Sequence, residues 1–363
     1  MAEIKLVPRS EVDPSITWDM TLLYPSDEAF YAELDKLKKE MKAFKEKYEN
    51  QLGDLEVLDE AIRKYEAIEL AVYRASHYAE LPMTVDRLNP KVVENATAFE
   101  AVSVSYAENM SFVMTELISL DEAFLNQFVA EKRPDLAYFV EKVIHQKKHT
   151  LSKDAEQVLS NLSSLPSFYQ LYEVTKHEDM QFESFEANGK TLENSFVLYE
   201  NLHEMDPDKE VRRAAAKSFY KTLNAYKNTV ANEYISQLKK EKMMATMRGY
   251  DSVIDYLLDE QDGDRELYDR QIRMLMTDLA PHMQRYIKLL AKEHGISDMQ
   301  FMDAKINLDP EFEVDMTIEE SREYLKKALG ILGEDYKAMI DESYDKRWTD
   351  FPQNIGKSTG GFC

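Results

Sequence analysis

The sequence predicts a mainly α fold of long antiparallel helices, with a small β-hairpin near 182–192 and the start of a small sheet at the C-terminus. Three observations carry this. Glycine is scarce, 10 of 363 residues beside 11 prolines, where average usage is about 7% and about 5%. So few tight turns disfavour a barrel, a sandwich or a glycine-loop nucleotide fold. Apolar residues recur at spacings of three and four, the signature of one helical face, and a single clear strand signal stands in the interior. The glycines are also uneven: Gly356, Gly360 and Gly361 crowd the end of the chain, where a different kind of structure is expected to begin.

Residues 1–25 read as an irregular arm, with Pro8, Pro14 and Pro25, whose Thr17-Trp18-Asp19 and Leu22, Leu23 and Tyr24 are expected to dock on the body. From Ser26, a good N-cap, the stripe Phe30, Leu34, Leu37, Met41, Phe44 and Tyr48 predicts a long amphipathic helix ended at Gly53. Leu58, Ile62, Tyr65, Ile68 and Val72 form a second stripe, expected to return antiparallel to the first. Segments 90–118 and 121–147 continue in the same style, so the first 150 residues read as all-helical. Ser152 can cap a helix through Leu162, broken near Pro166. Next, Phe182–Ala187 and Lys190–Leu192 flank Asn188-Gly189, the pair favoured in two-residue hairpin turns because both positions take positive φ. Asp206-Pro207 supplies an N-cap with proline at the first helical position, opening a helix of roughly 40 residues, ~60 Å long, towards Arg248-Gly249-Tyr250. Further helices start near Asp264 and at Thr317, where Glu320 completes a capping box.

Bulk composition excludes several function classes. Lys+Arg 45 against Asp+Glu 68 gives a net charge of −23 and a pI near 4.8, which argues against nucleic acid or anionic lipid as partner, since phosphate binding needs a basic surface. The length suits two or more domains. No apolar run of about 18 residues could span a bilayer. One cysteine, Cys363, and no positively charged start followed by an apolar stretch point to a reducing cytoplasm.

An acidic helical chain invites a search for His-Glu-x-x-His, which places two zinc-binding imidazoles one helical turn apart with a glutamate as base for the metal-bound water. His177-Glu178 is followed at the required position by Gln181, and His203-Glu204 by Pro207. His77, His282 and His294 lack a histidine four residues on. His145 and His149 have the spacing, but Gln146 replaces the base and Lys142, Lys147 and Lys148 oppose a divalent cation, so they read as surface histidines near a helix end. No metal ligands and no catalytic residues are therefore assigned. Gly356-Lys357-Ser358 superficially resembles a phosphate loop, yet Phe351 stands where the earlier glycine belongs. The methionine run Met243, Met244 and Met247 reads as core filling or, less simply, as a plastic binding groove.

Taken in order, Thr17-Trp18-Asp19 with Leu23-Tyr24, His149-Thr150-Leu151-Ser152 leading to Glu156, Asp206-Pro207-Asp208-Lys209-Glu210-Val211-Arg212, Arg248-Gly249-Tyr250-Asp251-Ser252, and Arg347-Trp348-Thr349-Asp350 with Gly356-Lys357-Ser358-Thr359-Gly360-Gly361-Phe362 resemble oligoendopeptidase F, among the thimet-oligopeptidase-like zinc peptidases. The resemblance covers essentially the whole chain. It implies an incomplete zincin-like peptidase architecture, divided into an N-terminal helical region (1–110), an oligoendopeptidase F-type helical domain (111–185) and the beginning of the catalytic domain (186–363). It further implies hydrolysis of internal bonds in short peptides. In the family two His and a Glu hold zinc, and a second Glu activates its water. The terminal glycine segment belongs to a small sheet whose edge strand lines the peptide cleft. An exposed strand edge binds extended peptide through backbone hydrogen bonds, which makes Gly360 and Gly361 the substrate-contact candidates. The matching region for the zinc ligands would lie beyond Cys363, so zinc is expected for the full-length enzyme and none for this chain. The expectation is thus a channel-forming N-terminal portion, inactive alone; the alternative is a non-catalytic helical peptide-binding or scaffold protein from the same family.

Overall fold

The computed structural model describes residues 7–87, 89–162, 165–309, 312 and 316–358. It is mainly helical and forms two compact units, Met1–Lys148 with Asp315–Cys363, and His149–Val314.

The first unit begins with an arm of short 3-10 turns, at whose end the ring of Tyr24 lies edge-on to Phe30 and Tyr78 at 5.7 and 5.4 Å. Leu22, by contrast, stays exposed. Helix α1 (Asp27–Tyr48) is capped by Ser26, whose Oγ accepts the Ala29 amide at 3.3 Å. All six residues of the expected stripe are buried. The chain reverses at Asn50, which takes the left-handed φ of 63°, so the helix stops before Gly53. Asparagine tolerates that conformation better than most side chains. Helix α2 (Leu55–Val85) runs back along α1, with ion pairs Lys47–Glu60 and Lys64–Glu40 marking the antiparallel register. It passes through Pro82 without stopping. Helix α3 (Pro90–Met110) completes a three-helix bundle and is followed by α4 (Phe112–Ser119), so the expected 90–118 segment is interrupted at Ser111. The 121–147 segment is likewise two helices, α5 (Glu122–Glu131) and α6 (Ala137–Gln146). The cause is Pro134, which pushes Arg133 out of the helical region, to φ −136° and ψ 69°.

In the second unit, α7 (Lys153–Leu162) and α8 (Phe168–Val174) precede strands β1 (Phe185–Ala187) and β2 (Lys190–Leu192). The strands pair antiparallel, Phe185 with Leu192 and Ala187 with Lys190, around Asn188 and Gly189 at φ 52° and 72°. The hairpin is three residues shorter at its start than expected. After α9 (Phe196–Asn201) comes the long helix α10 (Lys209–Met247). Its N-cap is Asp208, not Asp206, with Asp208 Oδ1 accepting the Glu210 amide at 2.7 Å. Phe185, Tyr199, Val211, Ala215 and Phe219 form the core here. Then follow α11 (Val253–Glu260), α12 (Arg265–Met274) and α13 (Ala280–Glu293), with a π-helical turn, Leu275–Leu279, making α12 and α13 continuous.

The chain returns to the first unit with α14 (Ile318–Leu329), opened by the expected Thr317–Glu320 capping box, and α15 (Glu334–Asp345). Among the described residues β1–β2 is the only sheet, and residues 351–358 form no strand. No helix among them is long and apolar enough to cross a membrane.

Candidate functional site

Gly360 and Gly361 lie outside the described residues. The residues leading to them are well defined. Lys357 Nζ donates to the Asp350 carboxylate at 2.8 Å and to the carbonyls of Asp350 and Pro352 at 2.9 and 2.8 Å. All three donors of this ammonium are thus committed within the segment, and the Gly-Lys-Ser sequence does not offer its lysine to a phosphate.

Among the described residues the histidines engage their surroundings instead of converging. His203 donates through Nε2 to the Glu193 carbonyl at 2.9 Å, His294 likewise to Asn307 at 2.8 Å, and His77 through Nδ1 to Tyr73 at 2.7 Å. His149 donates through Nδ1 to the Arg248 carbonyl at 2.8 Å and stacks on Tyr250 at 3.9 Å. His145 and His149, expected as surface histidines because of the neighbouring lysines, are each half-buried. The stacking depends on Tyr250, a hundred residues away in sequence, so no local pattern signals it. The side chain of His177 lies outside the described residues. A protein zinc site needs three or four N, O or S donors meeting at one point. Among the described residues no group of three or more His, Cys, Asp or Glu is so arranged. These residues therefore do not fit a zinc ion.

Two charge clusters shape the second unit. Arg248 forks onto Glu156, at 2.8 and 3.0 Å, and also reaches the His149 carbonyl at 3.0 Å. Arg248, together with the Leu151 amide, holds the Glu156 carboxyl below the usual range against the opposing effect of burial. This ties the start of α7 to the end of α10. At the other end of α10, Arg212 and Asp303 are completely buried and paired at 2.9 Å. Arg212 also donates to the carbonyls of Asp206 and Pro207 at 2.6 and 2.9 Å. Burial pushes the Asp303 carboxyl up, but Arg213, the Gln300 amide and Arg212 together bring it below its ordinary value. The quoted motifs Asp206–Arg212 and Arg248–Ser252 are therefore structural clamps on the two ends of one helix.

Apolar surface suited to contact lies on the long helices. Tyr234, Met243 and Met247 stand exposed on α10 while Met244 is half-buried, so the methionine run lies mostly at the surface, because the packed face of that helix turns through Ala245 instead. An open groove of about 700 Å³ runs along α12 and the π turn, lined by Leu267, Met274, Leu275 and Leu279 with Arg270, Asp278 and His282. Methionine is flexible and polarizable, which suits a surface that accommodates varied apolar side chains.

A model of peptidase family M3 matches residues 202–363, and one described as Oligopeptidase F matches residues 116–182, together more than half of the chain. The chain belongs to the oligoendopeptidase F family. The Oligopeptidase PepF of Bacillus subtilis (strain 168) is 28% identical over 371 residues, covering 100% of this chain and 55% of its own length. An Oligoendopeptidase F homolog of Lactococcus lactis subsp. lactis (strain IL1403) is 26% identical over 362 residues, covering 98% of this chain and 59% of its own. The chain thus spans less than two thirds of the curated oligoendopeptidase F relatives it matches. The crystal structure of oligoendopeptidase-F from Enterococcus faecium shares the fold, with a TM-score of 0.67 at 22% identity over 87% of this chain and 61% of that one.

Proposed function

We propose that residues 1–363 are the channel-forming portion of an oligoendopeptidase F-type zinc metalloendopeptidase that hydrolyses internal bonds of short peptides in the cytoplasm. In this reading the zinc and its ligands belong to other residues of the full-length enzyme, and these residues are inactive alone. The partition into 1–110, 111–185 and 186–363 is part of the same proposal. So are substrate contacts at Gly360 and Gly361, where a missing Cβ lets a peptide backbone approach closely.

The observation that carries the reading is the family match along the whole chain. The geometry supports it: α10 and the continuous α12–α13 expose a methionine-rich apolar face and an open groove, a surface fit to wall a channel for flexible peptides. The expected result for the isolated chain is no stoichiometric zinc by atomic absorption and no cleavage of a quenched fluorescent decapeptide. Stoichiometric zinc with robust turnover would sink the proposal. The alternative, a non-catalytic peptide-binding or scaffold protein, shares the groove; a reading frame continuing into His-Glu-x-x-His disposes of it.

A further inference from the structure

The two ends of the described chain are laced together. The arm and the 347–358 segment run antiparallel, with backbone bonds from Asp19 to the Arg347 carbonyl at 3.0 Å, from Phe351 to Ile16 at 3.1 Å and from Ile355 to Val7 at 2.9 Å. Side chains lock both ends of this lace. At one, Arg347 donates to the Pro14 carbonyl at 2.6 Å and pairs with Asp19 at 2.7 Å. Arg347 itself holds a left-handed φ of 52°, which a side chain disfavours. At the other, Arg9 grips Asp350 with both terminal nitrogens and reaches Asn354 Oδ1 at 3.2 Å. The Asp350 side chain is only 3% exposed and also receives Lys357.

The same segment closes the end of α2. The last carbonyls of a helix lack intrahelical partners. Here Thr84 receives the Ser358 amide at 2.6 Å, and Val85 receives Asn354 Nδ2 at 2.8 Å. Residues 347–358 thus carry no regular structure of their own, and their order comes from the arm on one side and the end of α2 on the other.

We propose that residues 7–24 are a strap that holds residues 347–358 against the end of α2, that the Arg9–Asp350–Lys357 cluster is its lock, and that the strap positions the chain entering Gly360 and Gly361. The last clause rests on the peptide-cleft reading above; the first two do not. Removing the lock leaves Arg9 and Lys357 without their shared carboxylate, and a half-buried cation without its partner seeks water.

Hydrogen exchange read by mass spectrometry on the whole chain tests the strap. Asp350→Asn is expected to speed exchange in both 7–24 and 347–358 by about tenfold or more, while α1 and α10 keep their protection. Arg9→Lys, which keeps the charge and loses the fork, is expected to give a smaller rise in the same two segments. Faster exchange in the arm alone, no change in either segment, or an equal rise across the whole first unit would each overturn the proposal. If Asp350→Asn does not fold, the Arg9→Lys pattern decides by itself. Binding of a fluorescent decapeptide to the unaltered chain is measured alongside. Absence of binding removes the cleft reading and leaves the strap to the exchange data. Binding unaffected by Asp350→Asn removes the positioning clause.

Discussion

Arg212 and Asp303 are both fully buried and 91 positions apart, and Asp303 is shared between Arg212 and the less buried Arg213. Truncating one member of such a pair strands the other in a medium that cannot solvate it. Asp303→Ala is therefore expected to cost about 3–5 kcal/mol, read as a lower urea midpoint of the second unit, with Asp303→Asn costing less because its amide oxygen still accepts one bond. Glu156 carries a different kind of test. Its carboxyl is held below the ordinary value of 4.5, with Arg248 the largest cause. A depressed carboxylate contributes stability that is present above the unfolded value and is lost as pH falls through the folded one. The difference in melting temperature between the native chain and Glu156→Gln should thus be full at pH 7 and close as pH drops below about 4.5; a gap that stays constant down to pH 2 contradicts it. Sequence supplied Glu156, Arg248 and Arg212 as parts of motifs, whereas Asp303 stood in none, and the partners lie too far apart along the chain for any local pattern to pair them.

Helix caps were largely legible, because a cap is a contact between residues two or three apart. Ser26, Asp264 and Thr317 all accept the amides their positions promise. The exception is instructive: Asp206-Pro207 reads as a cap, yet Arg212 claims the carbonyls of both residues and Asp208 takes over the helix start. Proline also behaved in two ways. Pro134 broke a segment that looked continuous, while Pro82 sits inside α2, whose packing tolerates it near the last turn. At the hairpin the turn requires Gly189 at φ 72° with open space around it, so the cost of a side chain there is conformational and not steric. Gly189→Val is expected to destabilise the second unit by about 1–2 kcal/mol, and Gly189→Asn by less, as measured by thermal unfolding; equal effects would point to a clash instead.

At the scale of the whole molecule, both tryptophans, Trp18 and Trp348, belong to the first unit, whereas helices fill both. Each unit holds its own apolar core. Tryptophan fluorescence and far-ultraviolet circular dichroism should then give non-coincident unfolding curves in guanidinium, the dichroism showing a phase the fluorescence does not; coincident curves would show a single cooperative transition. The sequence by itself determined the family, through short motifs kept in order along the chain, and the helical class, the stripes of α1 and α2 and the one hairpin, since periodicity and turn chemistry are local properties. Only the tertiary structure decided that Met243 and Met247 of α10 face outward, that His149 stacks on Tyr250, and that the arm is bound to residues 347–358. Those outcomes depend on which distant surfaces meet, and hydrogen bonds across 99 and 341 positions leave no periodic mark on the chain.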